Sequence, residues 1–301
     1  MSTNVSEKNS RALLILNPTS GVPPVTFIVT KDIERRKEEI TSCKSLSKTD
    51  MPPIIKENFD NFDIFIAAGG DGTVHSVATE LVNTDKILGV LPLGSGNGFA
   101  REFGFRLNLR SLISDISQAK SMVIDVIEIN DHLCLNVGGI GLDSFVAHSF
   151  NDLKLRGFLP YVWLTLKTFL RLRPFHVKIL SDGEEIVSEN LFVLTFANTR
   201  QFGNNAFIAP DARPNDGLMD LVLIKPFPKI FGPVFILRLF TKRINHSKYV
   251  RHIKTDKEIV IETCETRFHI DGEPLKISGK VNVRIRKDVL KVLKTCHNKF
   301  I

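Results

Sequence analysis

The stretch Ile64-Phe65-Ile66-Ala67-Ala68-Gly69-Gly70-Asp71-Gly72-Thr73 decides the fold. The apolar run at 64–66 is typical of a buried parallel strand, and the apolar residues of 74–82 recur at helical spacing. A glycine-rich turn therefore joins a strand end to a helix start, where backbone N–H groups and the positive helix end can hold phosphate. Three glycines permit close approach of a ligand. A carboxylate such as Asp71 is energetically unfavourable inside an anion-binding site unless it transfers a proton or binds a metal ion.

Two other strand ends are followed by turns of the same kind. The strand-like run 88–93 precedes Gly94-Ser95-Gly96-Asn97-Gly98, and the run 13–16 precedes Asn17-Pro18-Thr19-Ser20-Gly21. The carboxyl ends of parallel strands meet at one edge of a sheet, and ligands bind there. Ordinary βα turns also favour Gly, Asn and Ser, so one loop alone is weak support. The three loops together predict a phosphate-binding edge.

These loops and three later motifs resemble the catalytic domain of the diacylglycerol kinase family, which includes sphingosine kinases and bacterial lipid kinases. The later motifs are Asn136-Val137-Gly138-Gly139-Ile140-Gly141-Leu142-Asp143, Pro210-Asp211-Ala212-Arg213-Pro214-Asn215-Asp216-Gly217-Leu218-Met219-Asp220 and Ile270-Asp271-Gly272-Glu273-Pro274. Their order and spacing cover the chain from about residue 11 to about residue 293, and the fit is to the soluble bacterial branch. The resemblance implies an enzyme that uses ATP and Mg²⁺ to phosphorylate a lipid alcohol such as diacylglycerol.

The same resemblance implies the residues of the nucleotide site and the chemistry. The residues expected to hold ATP are Asn17, Ser20, Gly21, Gly69, Gly70, Asp71, Gly72, Thr73, Gly94, Ser95, Gly96, Asn97 and Glu273. Asp271 is expected to act as the general base for the lipid hydroxyl, with Glu273 nearby as a cation ligand or orienting group. Related sphingosine kinases point instead to Asp71 as the base. Asp125 is expected to arrange a water–magnesium network with Asp71.

Several of these residues have a simpler reading from the sequence alone. Asp271 and the glycine after it are also a hairpin signal. Asp125 lies in an apolar strand, where an unpartnered acid is expensive to bury, so it is either paired or at an exposed edge. Asp143 either binds a polar lipid head group or caps the helix that follows.

A metal site is expected in the stretch 216–220. The family implies a structural Mg²⁺ held by Asp216, Asp220 and the backbone carbonyl of Leu218, which are the hard oxygen ligands that this ion prefers. A plain Asn-Asp-Gly turn is the alternative. The eight histidines are scattered without ligand spacing, and no role is assigned to them.

The first loop departs from the family pattern. Many members carry a basic residue directly after the Ser-Gly of this loop, whereas this chain has Val22. Another cation must then neutralise the phosphates. The candidates are Lys31, Arg35, Arg36 and Arg101.

The distribution of strands and helices predicts an α/β fold with two domains. The βαβα alternation before residue 120 predicts a doubly wound parallel sheet with helices on both faces. The later strand-like segments with short turns predict an antiparallel β-sandwich. We expect a nucleotide-binding domain over 10–122 plus the returning C-terminus 288–301, and a lipid-substrate domain over 123–287.

Composition limits the partners and the compartment. The net charge of +7 suits anionic membrane surfaces or nucleotides, and the absence of zinc-finger spacing or an aromatic–basic signature argues against nucleic acid. The four cysteines lie far apart and are typical of reduced thiols in a cytoplasmic protein. No apolar run approaches the ~20 residues of a spanning helix.

A lipid kinase must nevertheless reach a substrate whose tails stay in the bilayer. The stretches 154–173 and 227–243 are apolar with basic flanks, a pattern that fits either packed helices or a membrane-apposed surface. We therefore expect a cytoplasmic protein that associates reversibly with the inner face of the membrane as a peripheral protein. A homodimer is one option for its assembly.

Two other functions compete with the lipid kinase. An NAD kinase shares the Gly-Gly-Asp-Gly loop and a similar fold, but that family carries an Asn-Glu pair for the nicotinamide nucleoside and this chain has no Asn-Glu dipeptide. The second alternative is a non-catalytic lipid- or nucleotide-binding protein, for which the valine at position 22 is the main support.

Overall fold

The computed structural model describes residues 11–300 apart from residues 22, 46 and 152–157. Helices and parallel strands alternate in the first part of the chain, and antiparallel strands dominate the rest. The helices are α1 (Pro23–Arg35), α2 (Met51–Asn58), α3 (Asp71–Leu81), α4 (Gly98–Glu102), α5 (Leu109–Gln118), α6 (Leu142–Asn151), α7 (Phe158–Arg171) and α8 (Gly232–Phe240). The strands are β1 (Ala12–Leu16), β2 (Thr41–Lys44), β3 (Ile64–Gly69), β4 (Ile87–Pro92), β5 (Ser121–Ile129), β6 (His132–Cys134), β7 (Val137–Gly141), β8 (Phe175–Ser181), β9 (Glu184–Leu191), β10 (Val193–Ala197), β11 (Met219–Ile224), β12 (Val250–Thr255), β13 (Ile259–Thr263), β14 (Arg267–Ile270), β15 (Glu273–Lys276) and β16 (Val281–Leu293).

The first part of the chain forms a parallel sheet in the order β2-β1-β3-β4. Every residue of β3 is buried, as expected for a strand covered by helices on both faces. Because β1, β3 and β4 run in the same direction, the loops that follow them lie at one edge of the sheet. This arrangement positions the three glycine-rich turns.

Strand β16 connects the parallel sheet to the antiparallel strands. It pairs in parallel with β4 through Lys291 and Val292, and it pairs antiparallel with β5 and β13. Its pairing with β5 shifts register between Arg286 and Leu290, which marks a β-bulge. The return of the C-terminal residues to the first sheet was expected from residue 288, and β16 makes this return without leaving the sheet.

The second sheet has six strands in the order β12-β11-β10-β7-β14-β15, and all its pairings are antiparallel. One face packs against β8, β13 and β16 around buried residues such as Phe268 and Ile270. A separate apolar cluster that includes Phe169 of α7, together with partly buried Phe235 of α8, covers the opposite face. Since side chains alternate along a strand, His269 points away from the face that carries Phe268 and Ile270.

The α/β fold with a parallel sheet and an antiparallel β-sandwich is confirmed. The helix indicated by the apolar spacing of 74–82 begins earlier, at Asp71, because the glycine turn itself forms its first turn. The segment 132–138 contributes to two strands, β6 and β7, which belong to different sheets.

Candidate active site

The three glycine-rich loops contact one another at the carboxyl edge of the parallel sheet. The Gly70 N–H donates to Ser20 Oγ at 2.8 Å, and the Leu93 N–H donates to Gly69 O at 2.8 Å. Gly21 has a φ of +81°, and a Cβ at this position would lie 2.0 Å from Leu93 O. Only glycine therefore permits the first loop to pack on the third.

The second and third loops meet most closely at Gly70 and Gly94. A Cβ on Gly94 would lie 2.6 Å from Gly70 Cα. Asn97 has a φ of +49° and donates from Nδ2 to Gly94 O at 2.6 Å, which fixes the turn before α4. Asn17 is placed by a 3.2 Å hydrogen bond from its Nδ2 to Thr73 Oγ1. Gly72, Ser95 and Gly96 complete the same three loops.

Asp71 links the second loop to the third. It is the first residue of α3, and its Oδ1 accepts a hydrogen bond from the Phe99 N–H at 3.3 Å. Burial raises the pKa of Asp71 to about 6, even though hydrogen bonds from the backbone of residues 97–99 lower it, and the charge of Asp271 raises it further. The carboxylate therefore carries a negative charge that the protein neutralises only in part, which suits a partner proton or cation.

A cavity of about 380 Å³ opens beside the third loop. Its walls combine apolar side chains with the guanidinium groups of Arg101 and Arg106. The other lining residues are Val25, Pro92, Leu93, Gly94, Asn97, Ala100, Phe105 and Leu107. Arg101 also donates from Nε to Gly96 O at 3.0 Å, so its cationic group is fixed beside the third glycine loop.

The structure separates the four candidate cations, of which Arg35 is the exposed last residue of α1. Arg36 is held by Asp32 and Glu39 at 3.4 and 2.8 Å, within its own segment. Lys31 lies over the Phe27 ring of its own helix. Arg101 remains as the cation beside the glycine loops. The predicted departure at Val22 lies outside the described residues.

Asp271 forms a hairpin turn, and its carboxylate is buried against the backbone of residues 135–137. With Gly272 it makes the two-residue connection between β14 and β15, and both residues have positive φ, +51° and +83°. Both readings of this motif from the sequence are therefore compatible with one structure. Glu273 follows as the exposed first residue of β15, paired across the hairpin with Ile270.

The carboxylate of Asp271 has five polar neighbours, one of which is Cys134 Sγ, donating to Oδ1 at 3.7 Å. The backbone N–H groups of Leu135, Asn136 and Val137 donate to it at 2.9, 2.8 and 3.3 Å. His75 Nδ1 lies 3.0 Å from Oδ2. Burial alone would raise the pKa of Asp271, but the hydrogen bond and charge of His75 and the backbone amides together hold this pKa below its usual range.

A second pair of an acid and a histidine lies at β14 of the second sheet. Asp143 Oδ2 is 2.9 Å from His269 Nε2, and Thr195 Oγ1 donates to the same oxygen at 3.3 Å. Gly139 separates Thr195 from His269 in the sheet and leaves room for Asp143 to reach both. His269 is 2% exposed, and among the described residues its Nδ1 has no hydrogen-bond partner.

Asp125 has different partners from those expected. Its Oδ2 accepts from the Gly217 N–H at 2.8 Å, and its Oδ1 accepts from the Asp288 N–H at 2.9 Å. The carboxylate is buried and ties β5 to the 214–217 loop and to the bulge of β16. The water–magnesium network with Asp71 stays a prediction.

A lysine side chain lies beside the carboxylates of the expected structural Mg²⁺ site. Lys254 Nζ lies 3.4 Å from Asp220 Oδ2 and 3.6 Å from Asp216 Oδ2, and it donates to Asp211 O at 3.1 Å. Lys254 stands directly opposite Asp220 in the β11–β12 ladder. A divalent ion on the same oxygens would repel this ammonium group, so we expect Lys254 to compete with Mg²⁺ for Asp216 and Asp220, and the Mg²⁺ site formed with Leu218 stays a prediction. Within residues 11–300 as described, no three His, Cys, Asp or Glu side chains are grouped to hold a metal.

A buried ion pair holds the two parts of the molecule together near the glycine loops. Glu102 of α4 is fully buried and accepts from Arg200 Nε at 2.8 Å and from Gln201 Nε2. This pair fixes the loop after β10, and a Cβ on Gly98 would lie 3.2 Å from Phe202 O. The third glycine loop therefore packs against the loop that follows β10 in the β-sandwich part of the chain.

Sequence reasoning missed three of these residues. His75 follows Asp71 by four positions, which is about one helical turn, and His269 lies two positions before Asp271, so closeness in the sequence was the available signal. Lys254 gave no signal, since its contact with Asp220 depends on strand register.

Comparison with known proteins agrees with this architecture. The diacylglycerol kinase catalytic domain profile matches residues 11–129, and the YegS C-terminal NAD kinase beta sandwich-like domain profile matches residues 136–294. A diacylglycerol kinase of Bacillus subtilis strain 168 is 30% identical over 274 residues, which cover 87% of this chain and 89% of the relative. The chain belongs to the diacylglycerol kinase catalytic domain family.

Solved structures support the same family fold. A diacylglycerol kinase from Bacillus anthracis strain Sterne superimposes with a TM-score of 0.71 at 20% identity, covering 96% of this chain and 98% of that one. An NAD kinase from Archaeoglobus fulgidus has a TM-score of 0.56 at 13% identity, with 95% of each chain covered, and shows the fold alone. This member of the diacylglycerol kinase family is thus a kinase-type enzyme, and the family implies ATP as its phosphoryl donor. In the part of the chain that the structure describes, none of the helices has the length and apolar character to cross a membrane.

Proposed function

We propose that this protein transfers the γ-phosphoryl group of ATP to the hydroxyl group of a lipid alcohol such as diacylglycerol. The observation that carries the proposal is the contact of three glycine-rich loops at one sheet edge, close to which lies the buried carboxylate of Asp271 paired with His75. Phosphoryl transfer depends mainly on positioning and charge neutralisation, and this edge offers backbone amides and a cation for both.

The nucleotide side of the cleft is assigned to the three loops and the adjacent cavity. Gly70 and Gly94 bring two backbone turns within contact distance, and turns of this kind present backbone N–H groups that can bind phosphate. Arg101 lines the cavity and takes the role that a basic residue at position 22 would have had.

Mg²⁺ is proposed to bind with ATP at Asp71. The carboxylate oxygens of Asp71 are hard ligands, and its raised pKa indicates a charge that calls for a cation. Magnesium usually takes one or two carboxylates and the substrate phosphates, so a single well-placed aspartate fits. When bound, the ion neutralises charge on the transferred phosphoryl group.

The acceptor side is assigned to the β7–β14 edge of the second sheet. We place the polar head group of the lipid beside Asp143 and His269. If His269 donates from Nε2 to Asp143, its buried Nδ1 is an acceptor for a hydroxyl group. A site built to accept a hydroxyl group rejects ligands that lack it, which supports an alcohol as the substrate.

The substrate is reached from a membrane surface formed by α7 and α8. Ile230, Leu237 and Leu170 are 81%, 61% and 61% exposed. The segment 221–255 contains eight Lys or Arg residues and no Asp or Glu. Exposed apolar side chains with basic neighbours are complementary to an anionic bilayer, where each cation contributes about 1 kcal/mol.

The decisive experiment for the reaction is transfer of radiolabel from γ-labelled ATP. The wild-type protein would be incubated with diacylglycerol in mixed micelles, with a mixed-lipid extract, and with NAD. Label in a lipid product is expected. Label in NADP would favour the NAD kinase alternative, and ATP binding without any labelled product would favour the non-catalytic alternative.

Membrane docking is tested separately by sedimentation with vesicles. Wild-type protein should bind vesicles containing anionic lipid at low salt and be mostly released near ~0.5 M salt, where screening is short-ranged. Ile230→Glu should weaken binding. The matched control is Ile28→Glu, which adds the same charge at a 66% exposed position of α1. Equal loss in both variants would show that net charge, and not the α7–α8 surface, controls binding.

A further inference from the structure

We propose that the cationic cluster formed by Arg200, Lys242 and Lys299 binds the phosphate monoester head group of an anionic lipid. This cluster lies where the loop after β10, the end of α8 and the C-terminal residues meet beside α4. The proposed phosphoryl transfer assigns no role to these side chains. The geometry that carries the proposal is the arrangement of the three cations about two aromatic rings and one buried carboxylate.

Arg200 anchors the cluster and retains unused hydrogen-bond donors. Its Nε donates to Glu102 Oε2 at 2.8 Å, while Gln201 Nε2 donates to Glu102 Oε1, so both oxygens of this buried carboxylate are bound within the protein. The Nη2 of Arg200 is also buried, and among the described residues it has no hydrogen-bond partner. A buried donor without an acceptor is unfavourable. The guanidinium group is therefore suited to an anion that the protein itself does not supply.

Aromatic rings hold the other two cations close to Arg200. Lys242 Nζ lies 4.6 Å and the Arg200 guanidinium carbon 5.9 Å from the centroid of the Phe207 ring. The same guanidinium carbon lies 4.9 Å from the centroid of the Phe300 ring, and Phe300 directly follows Lys299. Since two cations contact one ring and the second ring adjoins the third cation, the positive charges share a small part of the surface.

The cations of this cluster outnumber the acids. Within the described ranges, no ion pair reaches Lys242 or Lys299, and the one nearby carboxylate, Glu102, is bound to Arg200. Burial lowers the pKa of Lys299, and Glu102 raises it. The charges of Arg200, Lys242 and Arg101 lower it again, so this pKa lies below its usual range. A phosphate monoester carries about −1.5 to −2 charges and three acceptor oxygens, so it would relieve the repulsion among these cations.

The position of the cluster favours a lipid as the source of this phosphate. Lys242 follows the last residue of α8 by two positions, and Leu237 and Phe240 of α8 are 61% and 37% exposed. Lys242 and Lys299 are exposed as well. Exposed apolar side chains beside cations are complementary to an anionic amphiphile in a bilayer. This preference for a lipid rests on the proposed docking surface, and the proposed reaction itself generates a lipid phosphate monoester.

Vesicles of two compositions test the proposal. The protein would be sedimented, without ATP, with phosphatidylcholine vesicles that contain either phosphatidic acid, a monoester, or phosphatidylglycerol, a diester, at equal surface charge. Wild-type protein should bind the phosphatidic acid vesicles more tightly. Lys242→Gln and Lys299→Gln should each weaken that binding about fivefold, the effect of one cation near an anionic surface, and reduce the preference. Lys56→Gln removes the same charge at an exposed position of α2 and is the matched control, which should keep the preference.

A second arm distinguishes the lipid from free phosphate. Inorganic phosphate would be titrated at constant ionic strength, with ADP present to occupy the glycine-rich loops, and thermal unfolding would be followed. Phosphate that stabilises wild type but not Lys299→Gln, without any preference for phosphatidic acid vesicles, would overturn the lipid as the ligand. Equal binding of wild type to both vesicles without an effect of phosphate, or an equal loss in Lys56→Gln, would overturn the site itself. Failure of the kinase proposal is a separate result, because neither arm measures phosphoryl transfer.

Discussion

Replacement of Lys254 by methionine is the sharpest test of how the 216–220 loop is stabilised. The substitution removes the ammonium group 3.4 Å from the buried Asp220 Oδ2 and keeps the length of the side chain. Gross attraction at this distance is about 5 kcal/mol at an effective dielectric constant of ~20. Lys254 is 37% exposed, so solvent screening reduces the net loss to about 2 kcal/mol. For a domain of ordinary size we expect a decrease in Tm of about 4–8 °C.

The pH dependence of this loss has a definite sign. Burial raises the pKa of Asp220 to about 6, although Lys254 lowers it. The pKa of Asp220 is higher in the folded protein than in the unfolded chain. The stability that protonated Asp220 provides at acidic pH is therefore lost as the pH rises through 6. Without Lys254 that pKa rises further. The deficit of Lys254→Met should therefore be largest above pH 7 and shrink as the pH falls toward 4.

The assay is thermal unfolding at pH 7.5 in Mg²⁺ and in chelator. Wild-type Tm should be the same in both, whereas Lys254→Met should regain part of its loss in Mg²⁺, since an ion can then occupy the vacated position. A wild-type Tm that rises in Mg²⁺ and no longer does so in Asp220→Asn would refute the reasoning. It would mean that the loop holds a divalent cation after all.

Three further predictions follow from individual contacts. Gly94→Ala should lower turnover by on the order of 10²-fold, because the added Cβ would force the second and third loops apart. Steady-state kinetics with varied ATP would measure this loss, and an unchanged kcat/KM would contradict the prediction. Asp71→Asn should raise Tm relative to wild type, and by more at pH 7.5 than at pH 4.5, because the raised pKa of about 6 means that ionisation of Asp71 destabilises the folded protein. Scanning fluorimetry at both pH values tests this, and an equal Tm difference at the two values would argue against it. Asp125→Asn should lower the free energy of unfolding by about 1–3 kcal/mol, because the NH₂ group of an amide cannot accept the hydrogen bond of Gly217 or Asp288 that one carboxylate oxygen accepts. Urea unfolding measures this loss, and an unchanged midpoint would contradict the structural role given to Asp125.

The sequence by itself determined the parallel sheet and the position of its three glycine-rich turns. Both depend on local signals, namely apolar runs such as 64–66 and the glycine turns that follow them. The positive φ of Gly21 and the left-handed Asn97 are also local properties, because the residue type itself permits them. A strand end, a glycine turn and a helix start are close in the chain, so no knowledge of distant packing was needed.

Only the tertiary structure decided which groups meet the charged side chains. Asp271 and His75 are 196 positions apart, and the amides that hold Asp271 come from a strand connection more than 130 positions away. Lys254 reaches Asp220 because of one register of β11 against β12, and a shift of one residue would turn it to the other face. The energy of a buried carboxylate depends on these partners and on the exclusion of water, and neither is a property of the residues beside it in the chain.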